Sequence, residues 1–265
     1  MKRLLTEIDD RGCATLRLNN PEQHNAFDDQ LIAELTATLC QLAENPKVRV
    51  VTLCSSGKSF SAGADLNWMR RMADYSYEEN LQDALALAEL MKTLNGMSKP
   101  TIVLVQGATF GGGVGLVAAC DIAIANRQAK FCLSEVKLGL IPATISPYVL
   151  AAIGERAARR YFLTAERFTA DEALRIGLLH QVVEAEQLEQ TGAALCQRLL
   201  QNGPQALTEA KRLIRDVGNQ PLTSELLDMT AERIAAIRAT DEGREGLNAF
   251  LQKRKPNWTE DQDDV

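Results

Sequence analysis

Two short stretches of small residues are the parts of this chain best suited to chemistry. Residues 61–66 read Ser-Ala-Gly-Ala-Asp-Leu, and residues 110–115 read Phe-Gly-Gly-Gly-Val-Gly. We expect each stretch where a strand gives way to a helix, so that a backbone N–H points outward with no partner in the helical ladder. Without bulky side chains, a ligand carbonyl can come close to such an N–H. Two donors that meet on one carbonyl oxygen would form an oxyanion hole and stabilise an enolate.

The glycine cluster has other interpretations, of which a dinucleotide fingerprint is the most serious. Residues 113–118 satisfy G-x-G-x-x-A, and Glu135 follows at about the spacing of the ribose-binding acid. Against this, the next strand is predicted from Asp121, and so short a separation should leave no room for the crossover helix of a parallel βαβ unit. A P-loop is disfavoured because Thr52 stands where its first glycine belongs, although residues 57–59 end like one. An isolated glycine run would predict only a tight turn, and the partner stretch favours function.

The composition is that of an ordinary globular protein. The 265 residues are 46% hydrophobic and 24% charged, which allows one large domain or one domain with an appendage. The formal net charge of −6 and the pI of about 5.2 argue against a nucleic-acid partner. The basic clusters at 156–160 and 253–255 could still bind a phosphate locally.

The cysteines and histidines give no sign of a metal centre. The six cysteines lie in apolar stretches with no C-x-x-C pair, and no signal peptide precedes the first predicted strand. We therefore expect reduced core residues in a cytoplasmic protein. The six are Cys13, Cys40, Cys54, Cys120, Cys132 and Cys196. His24 and His180 are far apart and are expected to be structural. No apolar run of about 18 residues predicts a membrane span.

Hydrophobic periodicity predicts an α/β core followed by a helical region. The predicted core elements are a hairpin of strands 4–8 and 13–18, a helix through 31–42, a strand at 48–54, a helix over 76–95, a strand at 101–105, a helix over 112–119, and strands at 121–125 and 130–133. Beyond Pro142 we expect helices only, at 153–163, 170–176 and 188–200, with three more after Pro204. The boundary between the core and the helical region is placed near 201–204.

Six motifs, in order along the chain, are similar to those of the crotonase family, also called the enoyl-CoA hydratase/isomerase family. Residues 60–66 match its F-x-A-G-A-D-[IL] box, and residues 105–113 match its strand and G-G-G box. The other matches are Asn-Ala-Phe at 25–27, Cys-Asp-Ile at 120–122, residues 134–142 against P-E-x-x-x-G-x-x-P, and residues 250–256 against F-x-x-K-R-x-P. The resemblance runs from the first strand to Lys255, and so many matches in one order make it specific.

The resemblance implies an α/β fold built as a crotonase-like spiral of ββα units. Residues 1–200 would form this core, for acyl-CoA binding and catalysis, and residues 201–265 would form a C-terminal helical region for trimerisation and contacts to the CoA phosphates. The expected assembly is a homotrimer, or a hexamer built as a dimer of trimers. The expected substrate is an acyl-CoA thioester, and no cofactor or metal is implied because coenzyme A is part of the substrate.

Carried over by position, the resemblance also assigns the site. The catalytic groups would be the N–H donors of Ala64 and Gly112, each contributing about 3–4 kcal/mol of transition-state stabilisation, and Glu135 as acid and base. A bulky residue at Gly112 would obstruct the thioester oxygen. The substrate-binding positions would be Ala26, Ala62, Asp65, Leu66, Gly111, Gly115, Pro142, Ser146 and Lys253. For Ser146, a helix-capping role before Pro147 is also expected.

One departure from the family pattern concerns the reaction. Hydratases of this family usually carry two glutamates, and Gly115 stands where the first of them would be. A single carboxylate could hydrate a 2-enoyl thioester by relaying both protons, or could move a double bond from the 3- to the 2-position. Hydratase and delta-isomerase chemistry both stay open, as does a non-catalytic acyl-CoA- or RNA-binding member of the fold.

The middle of the chain favours hydration. Residues 63–69, 133–139 and 145–147 resemble the bacterial methylglutaconyl-CoA and γ-carboxygeranoyl-CoA hydratases, which are lyases of leucine and acyclic terpene breakdown. That resemblance implies a branched, carboxylated enoyl-CoA such as 3-methylglutaconyl-CoA. Glycine at 115 also removes a negative charge, which would lessen repulsion of a substrate carboxylate. Residues 143–147 replace a glycine-rich stretch common in the family, so the residues that place the water cannot be carried over.

Overall fold

The computed structural model describes residues 2–262, in which nine strands form two sheets. The strands are β1 (Leu4–Ile8), β2 (Cys13–Leu18), β3 (Val50–Ser55), β4 (Thr101–Val105), β5 (Ala108–Phe110), β6 (Ile122–Asn126), β7 (Lys130–Cys132), β8 (Phe168–Thr169) and β9 (Gln181–Val183). The larger sheet has the order β1-β2-β3-β4-β6-β9, and only β1 is antiparallel to its neighbour. The smaller sheet has the order β5-β7-β8. The predicted α/β class is confirmed.

Helices cover both faces of the larger sheet. The helices of the described residues are α1 (Asp29–Glu44), α2 (Leu66–Met72), α3 (Tyr77–Gly96), α4 (Gly112–Ala119), α5 (Ser146–Thr164), α6 (Ala170–Arg175), α7 (Leu188–Leu200), α8 (Pro204–Val217), α9 (Ser224–Ala239) and α10 (Asp241–Gln252). On one face, Val51 and Val103 join the main apolar core with α1, α3, α4 and α5. On the other face, Val50 and Leu104 pack against α7. Because both faces are covered, the central strands β3 and β4 are apolar and buried along their whole length.

Side-chain caps set the starts of the first long helices. Asp28 Oδ1 accepts a hydrogen bond of 2.8 Å from Leu31 N at the start of α1. Ser76 and Glu79 form a reciprocal capping box at the start of α3. Each cap satisfies N–H groups that the first turn leaves without a helical partner. Helix α3 therefore begins at Tyr77, and Ser76, the predicted first residue, is its cap.

The prediction of helices only beyond Pro142 was wrong. Strand β8 pairs antiparallel with β7, and β9 adds to the edge of the larger sheet beside β6. These strands have two and three residues, too few for a period-two pattern to show in the sequence. Helix α2 was missed for a similar reason, since it has seven residues.

The expectation that no crossover helix fits before the strand predicted at Asp121 was also wrong. Strands β4 and β6 are parallel neighbours, and the chain between them, residues 106–121, contains both β5 and α4. The crossover fits because α4 has only eight residues and β5 leaves the larger sheet for the smaller one.

Five of the six cysteines are buried, as predicted, but Cys40 is exposed on α1. The buried face of that helix is formed by Leu31, Ile32, Leu35, Leu39 and Leu42, and Cys40 lies next to it in sequence without sharing it. No helix within residues 2–262 is long and apolar enough to cross a membrane. The described part of the chain also contains no cluster of three potential metal ligands.

Helices α8, α9 and α10 follow the predicted boundary and pack on one another. Proline stands at the first position of α8, where its missing N–H costs nothing. Several large apolar side chains of this region are exposed, among them Leu222, Phe250 and Leu251. The expected assembly through this region stays a prediction.

Candidate active site

A parallel bridge between Ser61 and Thr109 brings the two small-residue stretches together. Ser61 N donates to Ala108 O at 3.1 Å, and Phe110 N donates to Ser61 O at 2.9 Å. The two predicted donors, Ala64 and Gly112, each lie three residues beyond a bridged residue. The bridge therefore joins the two segments that lead to these donors.

The N–H of Ala64 is left available by the way its neighbours pair. Phe27 N donates to Gly63 O at 2.8 Å, and Asp65 N donates to Phe27 O at 2.6 Å. These bonds hold the segment against Phe27, and the N–H of Ala64 has no acceptor among the described residues. Asp65 then caps α2 by accepting from Asn67 N and Trp68 N. Its side chain therefore fixes the turn that presents Ala64.

The second donor stands at the start of α4. Gly111 is the N-cap residue with φ of 52° and ψ of −119°, which favours glycine, and its N–H bonds to Cys132 O at 2.9 Å. The N–H of Gly112 has no acceptor in the described chain, as expected at the first turn of a helix. That end of the helix carries partial positive charge. A Cβ on Gly112 would meet the Phe27 ring at 3.5 Å, so Phe27 lies beside both donors.

Glu135 lies against the same turn. It follows β7 in a short 3-10 turn, Glu135–Leu138, and a Cβ on Gly111 would be 3.2 Å from its Oε1. Its Oε2 is buried without a hydrogen-bond partner in the described structure. Burial raises the pKa of this carboxyl above its ordinary value, because the charged form loses solvation. A carboxylate in this state takes up a proton readily.

Gly115 is one helical turn beyond Gly111 on the same face of α4. A Cβ there would lie 2.3 Å from Ile145 Cγ2 and 3.2 Å from Met91 Cε. Ile145 is buried and comes from the segment that replaces the family's glycine-rich stretch. The space that a side chain at 115 would need is therefore filled by the apolar Ile145.

The other predicted binding residues fall into two groups. Ala26, Ala62, Asp65, Leu66, Gly111, Gly115 and Pro142 lie on the segments that form or flank the two donor turns and the Glu135 turn. Leu66 is largely exposed at the start of α2. Lys253 is the C-cap residue of α10 with φ of 55°, and its N–H bonds to Phe250 O.

The predicted capping role of Ser146 is wrong. The N-cap of α5 is Ile145, and Ser146 is the first helical residue. Its hydroxyl instead donates to Ala143 O at 2.7 Å. The hydroxyl therefore closes the turn before α5, and the apolar Ile145 caps the helix without a side-chain hydrogen bond.

Sequence reasoning missed the role of Asn25. This residue is buried, and its Nδ2 donates to Ser56 O at 2.9 Å and to Ser59 O at 2.8 Å, while its Oδ1 accepts from Asn20 N. It ties the loop before Phe60 to the segment that leads into Phe27. The available sequence signal was the asparagine itself. Its position has φ of 53°, which asparagine tolerates better than most residues.

Both histidines, expected to be structural, make hydrogen-bond contacts within the fold. His24 Nδ1 lies 3.0 Å from Ser59 Oγ, which supports the same loop as Asn25. His180 Nδ1 accepts a hydrogen bond of 3.1 Å from Ala123 N at the edge of β6.

The fold and site define a class of protein in which two main-chain N–H groups, each without an acceptor among the described residues, and a buried carboxylate lie on neighbouring segments of an α/β core. The sequence profile described as "Enoyl-CoA hydratase/isomerase" matches residues 9–262. A crystal structure of an enoyl-CoA hydratase from Shewanella pealeana is similar with a TM-score of 0.94 and 48% identity, covering 97% of this chain and 96% of that one.

Two relatives differ in the reaction that their names describe. A crotonyl-CoA hydratase of Syntrophomonas wolfei is 32% identical over 92% of this chain and 94% of its own length. A 1,2-epoxyphenylacetyl-CoA isomerase of Escherichia coli is 33% identical over 98% of this chain and 99% of its own length. The chain belongs to the enoyl-CoA hydratase/isomerase, or crotonase, family. Its fold is the crotonase fold, and its activity is of the enoyl-CoA hydratase/isomerase kind.

Proposed function

We propose that this protein adds water across the 2,3 double bond of an enoyl-CoA thioester, with Glu135 as its single acid and base. The observation that carries the proposal is the position of the Glu135 carboxylate over the donor turn. Oε1 lies over Gly111, directly before the Gly112 donor, and Oε2 is buried and unpartnered in the described structure. A buried oxygen with no partner costs free energy unless a ligand satisfies it.

The N–H groups of Ala64 and Gly112 hold the thioester oxygen. As water attacks C3, its oxygen forms the new C–O bond while one proton passes to the Glu135 carboxylate. The electron pair of the double bond moves towards the carbonyl, and the enolate oxygen gains negative charge beside the two donors. Glu135 then delivers a proton to C2, the electrons return from the oxygen, and the carboxylate is restored. The net reaction is the addition of one water molecule across the double bond.

We propose a branched, carboxylated acyl group, of which 3-methylglutaconyl is an example. The subfamily resemblance of residues 63–69, 133–139 and 145–147 supports this, as does the filling of the Gly115 face by Ile145. An apolar residue in place of a second carboxylate lowers the electrostatic cost of a substrate that carries its own negative charge. We further propose that the loop at Ala62, Asp65 and Leu66, with Ala26, contacts the CoA.

The remaining assignments are proposals of the same kind. Lys253, at the end of α10, would meet a CoA phosphate, and Pro142 would border the acyl group. Ser146 would act through the turn that its hydroxyl closes. Helices α8 to α10, with their exposed apolar side chains, would form a trimer or a dimer of trimers.

The test compares Glu135→Gln with the exposed control Glu186→Gln. Each protein is offered crotonyl-CoA, 3-methylglutaconyl-CoA and a 3-enoyl-CoA, and the conjugated thioester absorbance is followed. Hydration removes this absorbance from the first two. Glu135→Gln should lower the rate by about 10²–10⁴-fold while binding of a saturated acyl-CoA survives. The control should match the unaltered protein, and full turnover by Glu135→Gln would reject the assignment.

A delta-isomerase is the second candidate, because Glu135 is the carboxylate at the donor turn and a lone base suffices to move a proton between carbons. The 3-enoyl-CoA arm decides between the two reactions. Growth of the conjugated absorbance from that compound, with no loss from the 2-enoyl compounds, would favour isomerisation. No change with any of the three would favour a protein that only binds acyl-CoA.

A further inference from the structure

Two cysteines far apart in sequence meet on the face of the larger sheet that α7 covers. Cys13 is the first residue of β2, and Cys196 lies on α7. Both belong to the apolar cluster around Val50 and Leu104, and Cys13 pairs in register with Val50, which lies two residues before Thr52 on the same face of β3. The Thr52 hydroxyl is a further neighbour, 3.3 Å from Cys196 Sγ. Residues of β3 thus fix the position of Cys196 against the strand that carries Cys13.

The turn before Cys13 is tied to α7 at the surface. Asp9 Oδ1 accepts from Cys13 N at 2.8 Å, and its Oδ2 accepts from the Arg11 guanidinium. Arg11 also donates to Gln197 Oε1 at 2.8 Å, next to Cys196 in sequence. The positive charge of Arg11 therefore lies near both sulfurs. Cys13 and Cys196 retain 8% and 5% exposure.

The two sulfurs differ in character. The pKa of the Cys196 thiol is lowered because Cys13 hydrogen-bonds to its sulfur, with Thr52 adding to the effect against the cost of burial. The pKa of Cys13 is raised by the same hydrogen bond and by burial. A thiolate beside a neutral thiol is the arrangement in which one cysteine attacks an oxidant and the other resolves the product.

We propose that Cys13 and Cys196 form a peroxide-sensitive modification site that closes to a disulfide. The Cys196 thiolate attacks one oxygen of hydrogen peroxide, the O–O bond breaks, and the departing hydroxide takes a proton to leave as water. The sulfur of Cys13 then displaces the hydroxyl of the resulting sulfenic acid, and its own proton leaves with that hydroxyl as a second water. Two thiols are oxidised and one peroxide is reduced.

The bond would join β2 to α7 across the long chain segment between them. A cross-link of this kind restricts the unfolded chain more than the folded one, so the oxidised protein should unfold at a higher temperature. Neither residue belongs to the donor turns or to the Glu135 turn. The catalytic rate should therefore stay unchanged on oxidation.

The test treats the full chain with hydrogen peroxide, alkylates the remaining thiols and digests the protein without reduction for mass spectrometry. We expect a peptide pair linked through Cys13 and Cys196 that a thiol reductant separates. Cys54→Ser is the matched control, since Cys54 lies in the same buried cluster, and it should retain the link. Cys13→Ser should leave a sulfenic acid on Cys196 that dimedone traps.

The thermal midpoint gives an independent readout. It should rise on oxidation in the unaltered protein and in Cys54→Ser, and should not rise in Cys196→Ser. The proposal is overturned if Cys13 and Cys196 remain reduced at peroxide concentrations that oxidise the exposed Cys40. It is equally overturned if cross-links join all cysteines without preference.

Discussion

Glu135 faces Gly111 at the start of α4, where a Cβ on the glycine would lie 3.2 Å from the carboxylate Oε1. The same glycine caps the helix whose first N–H is the Gly112 donor. The carboxylate and the donor are thus positioned by one turn of backbone. An enolate held at the donor would lie within reach of the group proposed to move its protons.

The first prediction concerns the N–H donor of Gly112, which one substitution can remove without disturbing its helix. Gly112→Pro deletes the N–H at the first helical position, where proline is accepted. We expect kcat to fall about 10²–10³-fold. The control is Gly112→Ala, whose Cβ would make an ordinary 3.5 Å contact with the Phe27 ring and should retain most activity. Far-UV circular dichroism and acyl-CoA binding check the fold, and a folded proline variant as active as the alanine variant would contradict the donor role.

The pairing of Gly115 with Ile145 predicts strong coupling between them. Gly115→Glu alone would press on Ile145 Cγ2, and overpacking of this kind costs about 1–3 kcal/mol. Ile145→Gly alone leaves a cavity, and this loss should reach about 2–5 kcal/mol. The double variant should be more stable than the sum by about 0.5–3 kcal/mol, as measured by urea unfolding.

The same double variant tests the proposed substrate preference. A carboxylate restored beside Glu135 should repel a charged acyl group, so activity should shift from 3-methylglutaconyl-CoA towards crotonyl-CoA. Additive stabilities together with an unchanged activity ratio would show that Ile145 does not stand in for the missing side chain.

Burial of Glu135 predicts a pH-dependent change in stability. Because its pKa is raised by burial, the folded protein keeps this proton after the unfolded chain has lost it near pH ~4.3. Stability contributed by this group therefore falls as pH rises from that value through the folded pKa. Glu135→Gln lacks the buried charge and should be more stable than the unaltered protein at neutral pH in urea unfolding. The gain should shrink on acidification, and a gain that grows instead would contradict the pKa direction.

Asn25 is expected to matter for stability and activity together. Asn25→Ala leaves Ser56 O and Ser59 O without this donor and places alanine at φ of 53°. The loss should be about 1–3 kcal/mol, with lower kcat because the loop leads to Ala64. The exposed Asn80 also donates through Nδ2 to two backbone oxygens, and Asn80→Ala should cost less than about 0.5 kcal/mol. Equal losses for the two variants would argue against a positioning role for Asn25.

The donor turns could be located from the sequence because glycine and alanine at a strand-to-helix junction have a local physical reason. The bridge between Ser61 and Thr109 could not, since it joins two single residues and leaves no periodic pattern. The space-filling role of Ile145 could not be predicted, because its contribution is volume and an apolar residue in a loop carries no chemical signal. Glu135 was identified by motif, but its unpartnered oxygen is a property of packing alone.

The long strands and helices followed their apolar patterns, whereas β8 and β9 did not, because two or three residues cannot show a period. The capping residue of α5 was misplaced by one position. Pro147 lies in the first turn of α5, as the preference of proline for that position predicts, but the helix already begins at Ser146. Local rules thus locate an element well and its terminal residue less well.

A crystal structure with a bound, unreactive acyl-CoA thioester tests the central claim most directly. We predict that the thioester oxygen lies about 2.7–3.1 Å from both the Ala64 and Gly112 nitrogens, with C2 and C3 facing the Glu135 carboxylate. A bound thioester whose oxygen met neither nitrogen, or whose acyl carbons pointed away from Glu135, would contradict the account.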